Sequence, residues 1–164
     1  MSTSTSLDVV RAREVAGAVL DPEVPVLSID DLGVLRDVSV GEDGAVDVVI
    51  TPTYSGCPAM EAIRDDLIAA LQSNGFPEVR IRTVLSPAWT TDWMSDAGRR
   101  KLEDYGIAPP TGRRPGPVAL TLAVQCPRCG STNTRELSRF GSTACKALWQ
   151  CRSCAEPFDH FKAF

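Results

Sequence analysis

Six cysteines carry most of the chemistry legible in this 164-residue sequence. Four of them form two C-x2-C knuckles, Cys126-Pro127-Arg128-Cys129 and Cys151-Arg152-Ser153-Cys154, with 21 residues between. A C-x2-C turn points two thiolates at one ion, and two such turns complete the tetrahedron that zinc prefers. Gly130, directly after the first knuckle, suits the tight turn. A rubredoxin-like iron or an iron–sulfur cluster would use the same thiolates, and zinc is expected over both on prevalence alone. A tail of about forty residues is also too short to fold on an apolar core, so a structural metal has a clear role there.

The other two cysteines stand alone. Cys57 precedes Pro58, a residue favoured in the first turn of a helix. A thiol at a helix N-terminus is expected to have a lowered pKa, suited to metal binding or nucleophilic attack. The alternative is a small residue at a helix start, and position alone does not separate the two. Cys145, next to Lys146, is an accessory ligand or second reactive thiol on one reading and a small buried hydrophobe on the commoner one. Asp21, Glu23, Asp30 and Asp31 are dense enough for a hard-metal site, although acidic turns are mostly solvated turns and caps. Trp89 and Trp93 offer either a partner surface or core aromatics. His160 is the sole histidine and has no nucleophile motif near it, and neither a P-loop nor a dinucleotide fingerprint occurs. The sequence therefore argues against an enzyme in its own right.

These residues need elements to position them. Leu7, Val10, Val15, Ala16, Val19 and Leu20 approximate a helical stripe over residues 7–20, with the preceding Ser/Thr run as N-caps and Asp21-Pro22 as the stop. Residues 34–40 and 46–51 are β-branched runs joined by Gly41-Glu42-Asp43-Gly44, the pattern of a hairpin. Met60, Ile63, Leu67 and Leu71 predict a helix ending near Asn74-Gly75, and residues 78–85 alternate as a third strand. This order predicts a small α/β layer with helices on one sheet face. A short helix over residues 95–105 precedes residues 109–117, where Pro and Gly crowd as in a linker. The expected organisation is a domain over 1–108, a linker over 109–117 and a metal-binding module over 118–164.

Bulk properties narrow the function class. A hydrophobic fraction of 43% and a charged fraction of 23% are those of a globular protein. The first residues show no basic and apolar leader pattern, and no run approaches the length of a membrane span, so a cytoplasmic protein without a membrane partner is expected. Cysteines in that compartment serve as metal ligands or thiols more often than as disulfides. A net charge of −4 disfavours nucleic-acid coating, although Arg113, Arg114, Arg128, Arg135, Arg139, Lys146 and Arg152 make the tail locally basic.

Beyond these inferences, Asp21-Pro22-Glu23-Val24-Pro25, Asp31-Leu32-Gly33 and Thr51-Pro52-Thr53-Tyr54-Ser55-Gly56-Cys57-Pro58 resemble the SufT-like family of iron–sulfur cluster assembly domains. The strings Pro87–Trp93, Gly106–Pro110, Phe140–Lys146 and Glu156–Asp159, with the knuckled tail, narrow the resemblance to the D proteins of phenylacetyl-CoA epoxidase systems. The resemblance implies a helix-covered three-stranded sheet of the SufT-like type followed by a zinc-ribbon β module. It also implies an accessory role in aerobic phenylacetate breakdown, assisting iron or iron–sulfur assembly in the oxygenase or its reductase. Cys57 is the functional residue it implies, with Cys145, Asp21, Glu23 and Thr53 as candidate iron- or cluster-handling neighbours. A homodimer is a further expectation, with an incompletely ligated cluster completed by two copies of Cys57 or by Cys145. The alternatives are a structural subunit of the oxygenase complex and a zinc-ribbon adaptor for nucleic acid or protein.

Overall fold

The computed structural model describes residues 2–111 and 123–164, grouped into two compact units, Met1–Ser95 and Asp96–Phe164. The first unit opens with helix α1 (Ser2–Gly17), followed by strands β1 (Leu35–Val40) and β2 (Val46–Ile50), helix α2 (Ala59–Ser73) and strand β3 (Val79–Thr83). β1 and β2 form the expected antiparallel hairpin, and Gly44 takes its turn at φ 79°. β2 then pairs in parallel with β3, from Val46↔Val79 to Ile50↔Thr83. Parallel neighbours cannot be joined by a tight turn, so α2 carries the crossover. It buries Ala59, Ile63, Leu67 and Leu71, a stripe at helical spacing, while β2 buries Val46, Val48 and Ile50.

Helix α1 departs from expectation at both ends. It begins at Ser2, so the Ser/Thr run belongs to the helix rather than capping it. It ends at Gly17, because Leu20 leaves to form a bridge with Ser28 and Ile29 N–H donates to Val19 C=O at 2.8 Å. The helix buries Ala12 and Ala16, and Val19 just beyond it, whereas Leu7, Val10 and, after the helix, Leu20 are exposed. The tryptophans belong to the framework. Trp89 is buried and its indole N–H donates to Leu32 C=O at 2.8 Å. The ring of Trp93 is covered by the Arg36 guanidinium, 3.6 Å from its centroid. Gly33, at φ 74°, lies so close to Trp93 that a Cβ would meet its carbonyl oxygen at 2.6 Å.

The second unit contains helix α3 (Asp96–Asp104) and strands β4 (Ile107–Ala108), β5 (Thr134–Ser138), β6 (Lys146–Cys151) and β7 (Pro157–Phe161). Its sheet has the order β4-β7-β6-β5, with β4 parallel to β7 and the other pairs antiparallel. The division falls between Ser95 and Asp96, ahead of the expected linker, because pairing with β7 draws β4 into the C-terminal sheet. Residues 112–117 of that linker lie outside the described residues. One sheet face forms a small core of Ala108, Val124, Cys126, Cys151 and Phe158, with Trp149 packed against it. Among the described residues no helix is long and apolar enough to cross a membrane.

The approach at Gly33 yields a stability prediction. Gly33→Ala combines left-handed backbone strain with overpacking against Trp93, and should destabilise the chain by about 2–4 kcal/mol. A urea midpoint equal to that of the parent would refute this account of the Gly33–Trp93 contact.

Candidate metal centre and cysteine loop

The sulfurs of Cys126, Cys129, Cys151 and Cys154 all lie within 4.8 Å of one another. Cys126 Sγ is 3.8 Å from Cys154 Sγ, and Cys129 Sγ is 3.6 Å from Cys151 Sγ. A tetrahedron with zinc–sulfur bonds of about 2.3 Å has edges of about 3.8 Å, so the quartet fits a single zinc ion. Local backbone chemistry explains how each knuckle turns. Gly130 adopts φ 74° and its amide donates to Cys126 C=O at 2.9 Å; Ala155 takes the corresponding place after Cys154 at φ 63°. A hydrogen bond between the Ser131 and Ser153 hydroxyls (2.8 Å) and one from Arg152 N–H to Asn133 C=O (2.8 Å) tie the two knuckles together. The Cys154 amide holds the Cys151 thiol down to about 6. On Cys154 the Glu156 amide pulls the same way, but burial and the neighbouring sulfurs push it up to about 12. A dication at the centre replaces this uneven protonation with four bound thiolates.

Cys57 sits in the loop from the end of β2 to the start of α2. Pro58 is the N-cap of α2, so Cys57 lies one residue ahead of the cap. Its N–H donates to Tyr54 C=O at 3.3 Å and its C=O accepts from Met60 N–H at 3.3 Å, closing a compact turn around Gly56 at φ 78°. The side chain is half-buried. That burial pushes the thiol above its ordinary value; the Ala59 amide opposes the shift, the Glu23 carboxylate adds to it, and the Thr53 and Tyr54 hydroxyls lower it by donating to sulfur. The expected lowering at a helix N-terminus is therefore corrected, because desolvation outweighs the amide contribution. Beside the loop, Thr51, Thr53, Tyr54 and Trp89 help line a cleft of about 110 Å³. Thr51 is 1% exposed, and its hydroxyl has no hydrogen-bond partner among the described residues.

Comparison with known proteins matches both parts of this arrangement. Residues 11–85 match the family described as iron-sulfur cluster assembly protein, and residues 112–162 match the PaaD zinc beta ribbon domain. An Escherichia coli K12 protein, provisionally named as the D component of 1,2-phenylacetyl-CoA epoxidase, is 51% identical over 142 residues, covering 87% of this chain and 85% of its own. The chain belongs to this D-protein family. A Porphyromonas gingivalis Fe-S protein maturation auxiliary factor is 37% identical over 99 residues, which span 60% of this chain and 90% of that protein. In the crystal structure of a DUF59 domain from Bacillus anthracis, 97% of the chain superposes on 62% of this one, with a TM-score of 0.58 and 27% identity.

Of the residues singled out in this D-family sequence, the structure gathers Cys57, Glu23 and Thr53 at one place and adds Tyr54. Sequence reasoning misses Tyr54, although its place three residues before Cys57 in a Gly-containing turn is the available signal. Asp21 faces inward, and its Oδ1 accepts from the amides of Glu23 (2.7 Å) and Val24 (2.8 Å), as in a turn cap. Asp31 accepts from Ser28 N–H and the Ser95 hydroxyl, and Asp30 faces Arg13 at 3.9 Å. Among the described residues the acidic loop brings no three ligands together, and the cysteine quartet is the one group that does. Cys145 belongs to the other unit, where it is buried with its sulfur 3.0 Å from the Thr143 hydroxyl. His160 is buried, its pKa pushed down to about 4 by desolvation, and its ring stands edge-on to Trp149.

Two measurements check this account. Stripping zinc with a strong chelator at neutral pH should unfold the ribbon while leaving residues 1–95 folded, because metal binding worth on the order of 10 kcal/mol is folding energy in so small a module. Protease cleavage spread evenly over both units would contradict it. For the cysteine loop, Cys57 alkylation followed by peptide mass spectrometry should be slow at neutral pH and accelerate towards alkaline pH. Glu23→Gln removes a nearby negative charge and should speed the reaction at pH 8; an unchanged rate would show that Glu23 does not act on the thiol.

Proposed function

We propose that this chain is a non-catalytic accessory factor that delivers iron or an iron–sulfur cluster, with Cys57 as the transient ligand and the zinc ribbon as a docking module. The partly exposed Cys57 thiol, set among hydroxyl and amide donors at the head of α2, is the observation that carries this reading. A thiol held above its ordinary pKa is protonated at rest. An arriving iron centre displaces the proton to form a sulfur–iron bond, and reprotonation favours release. One thiolate falls short of the four that usually hold a cluster, so the cargo is not locked in place. A second copy of the chain, contributing its own Cys57, would complete a temporary pair. The ribbon cysteines differ in kind: four sulfurs already fill a tetrahedron and leave no open position for exchange.

The family resemblance and the assembly-factor relatives support a client in the phenylacetyl-CoA oxygenase system, with the reductase as the leading candidate. The test is to produce oxygenase and reductase in cells together with this chain or its variants. With Cys57→Ser, iron content and visible absorption of the reductase should fall to the level of cells lacking the chain. With Cys145→Ala, whose sulfur is buried, loading should persist. Full loading with Cys57→Ser would overturn the carrier role, and co-purification of that variant at fixed stoichiometry with the oxygenase would identify a structural subunit instead.

A further inference from the structure

Apart from Glu156, whose amide faces the Cys154 thiol, and Phe158, which packs with Cys126 and Cys151, the strings Gly106–Pro110, Phe140–Lys146 and Glu156–Asp159 have no part in the thiolate centre or at Cys57, yet they converge in the fold. In the C-terminal sheet the pairs Lys146↔Phe161, Leu148↔Asp159 and Ile107↔Asp159 place these side chains on the face opposite the Cys126–Cys151–Phe158 core. There Ile107, Leu148 and Pro157 form the walls of a cleft of about 340 Å³, rimmed by the exposed Tyr105 ring. Lys146 and Asp159 also line it.

The charged pair is unusual in its incompleteness. The Lys146 side chain is only 8% exposed, yet its charged partner, Asp159 Oδ2, stands 4.0 Å from Nζ, beyond hydrogen-bond reach. Unlike the Trp149 indole N–H and His160 Nε2, which are buried without a partner among the described residues, the ammonium opens on the cleft, where a guest carbonyl can take the place of water and accept a charge-assisted hydrogen bond from it. The geometry is built in: the Gly141 amide donates to Lys146 C=O at 2.7 Å, and a Cβ on Gly141 would stand 3.1 Å from Asp159 Oδ1. Glycine thus lets the turn before β6 close down on the carboxylate.

We propose that this cleft binds an extended peptide segment, reading one backbone amide with Lys146 and Asp159 and one apolar side chain with Ile107, Leu148 and Pro157. A peptide group carries both halves of the needed complement: its carbonyl accepts from the Lys146 ammonium, and its N–H donates to the Asp159 carboxylate. A carboxylate ligand would satisfy Lys146 but lie against Asp159, where like charges repel. The volume suits a short segment, at the lower end of the roughly 300–1,000 Å³ of small-ligand sites. The inference deepens the docking role proposed for the ribbon and rests on that reading for its client. It does not involve Cys57.

The test is an NMR titration of the full, zinc-loaded, ¹⁵N-labelled chain with the neutral peptide acetyl-Ala-Leu-Ala-amide and, separately, with 4-methylpentanoate, which presents a leucine-like body on a carboxylate. The peptide should give saturable shifts at the amides of Ile107, Lys146, Leu148 and Asp159. Lys146→Met and Asp159→Asn should each weaken it about tenfold or more, as loss of a charge-assisted hydrogen bond requires. Zinc content and spectral dispersion report whether each variant folds, and either folded variant suffices. Absent shifts, unchanged affinity in a folded variant, or tighter binding of 4-methylpentanoate than of the peptide would each overturn the proposal. Loss of peptide binding would leave the Cys57→Ser loading result standing, and failure of that result would leave the cleft intact.

Discussion

The parallel pairing of β2 with β3 is the constraint on which the N-terminal unit depends. Two adjacent strands running the same way must be joined over the sheet, and α2 makes that crossover while sealing the face with Ile63, Leu67 and Leu71. The connection from β2 to α2 therefore emerges at the carboxyl end of the middle strand, where open α/β sheets present their ligand sites. Thr51 to Pro58 is that connection, and Cys57 occupies its last turn before the helix cap. The cysteine owes its place to sheet topology, and its surroundings to Glu23 and to the turn residues Thr53 and Tyr54.

A different constraint organises the C-terminal unit. One face of its sheet carries a small apolar core, and two of the five buried residues of that cluster are themselves members of the thiolate quartet. Metal and core are thus one structure, with Cys126 and Cys151 packed inward while Cys129 and Cys154 remain exposed. The knuckles differ in backbone cost. Gly130 adopts the left-handed conformation freely, whereas Ala155 bears a Cβ there, a strain of about 1–2 kcal/mol that the closed metal site must hold.

The two cysteine environments divide the chemistry. Four crowded sulfurs fit one dication and leave no open position for exchange. A lone, half-buried thiol with a raised pKa offers a single ligand, which is what the delivery role proposed above requires. Lys146 shows a third use of burial. In the sequence it counts as one of the basic residues of the tail, but in the fold most of its side chain is buried and it lines a cleft beside Asp159.

Local patterns in the sequence were enough to determine the pairing of the knuckles, the β1–β2 hairpin, the apolar stripe of α2 and the place of Cys57 beside a helix start. Each depends on residues within a few positions of one another, where spacing and turn chemistry act directly. What required the tertiary structure was set by distant partners. The Cys57 pKa rose because burial, a property of the whole packing, outweighed the local amide effect that the sequence displays. The local caps of the acidic loop were the usual reading of such a turn, but the tie from Asp31 to Ser95, sixty-four positions away, needed the fold. The second unit starts at Asp96 rather than after a Pro/Gly linker because β4 found its neighbour in β7, and strand pairing between remote segments leaves no mark on either segment alone.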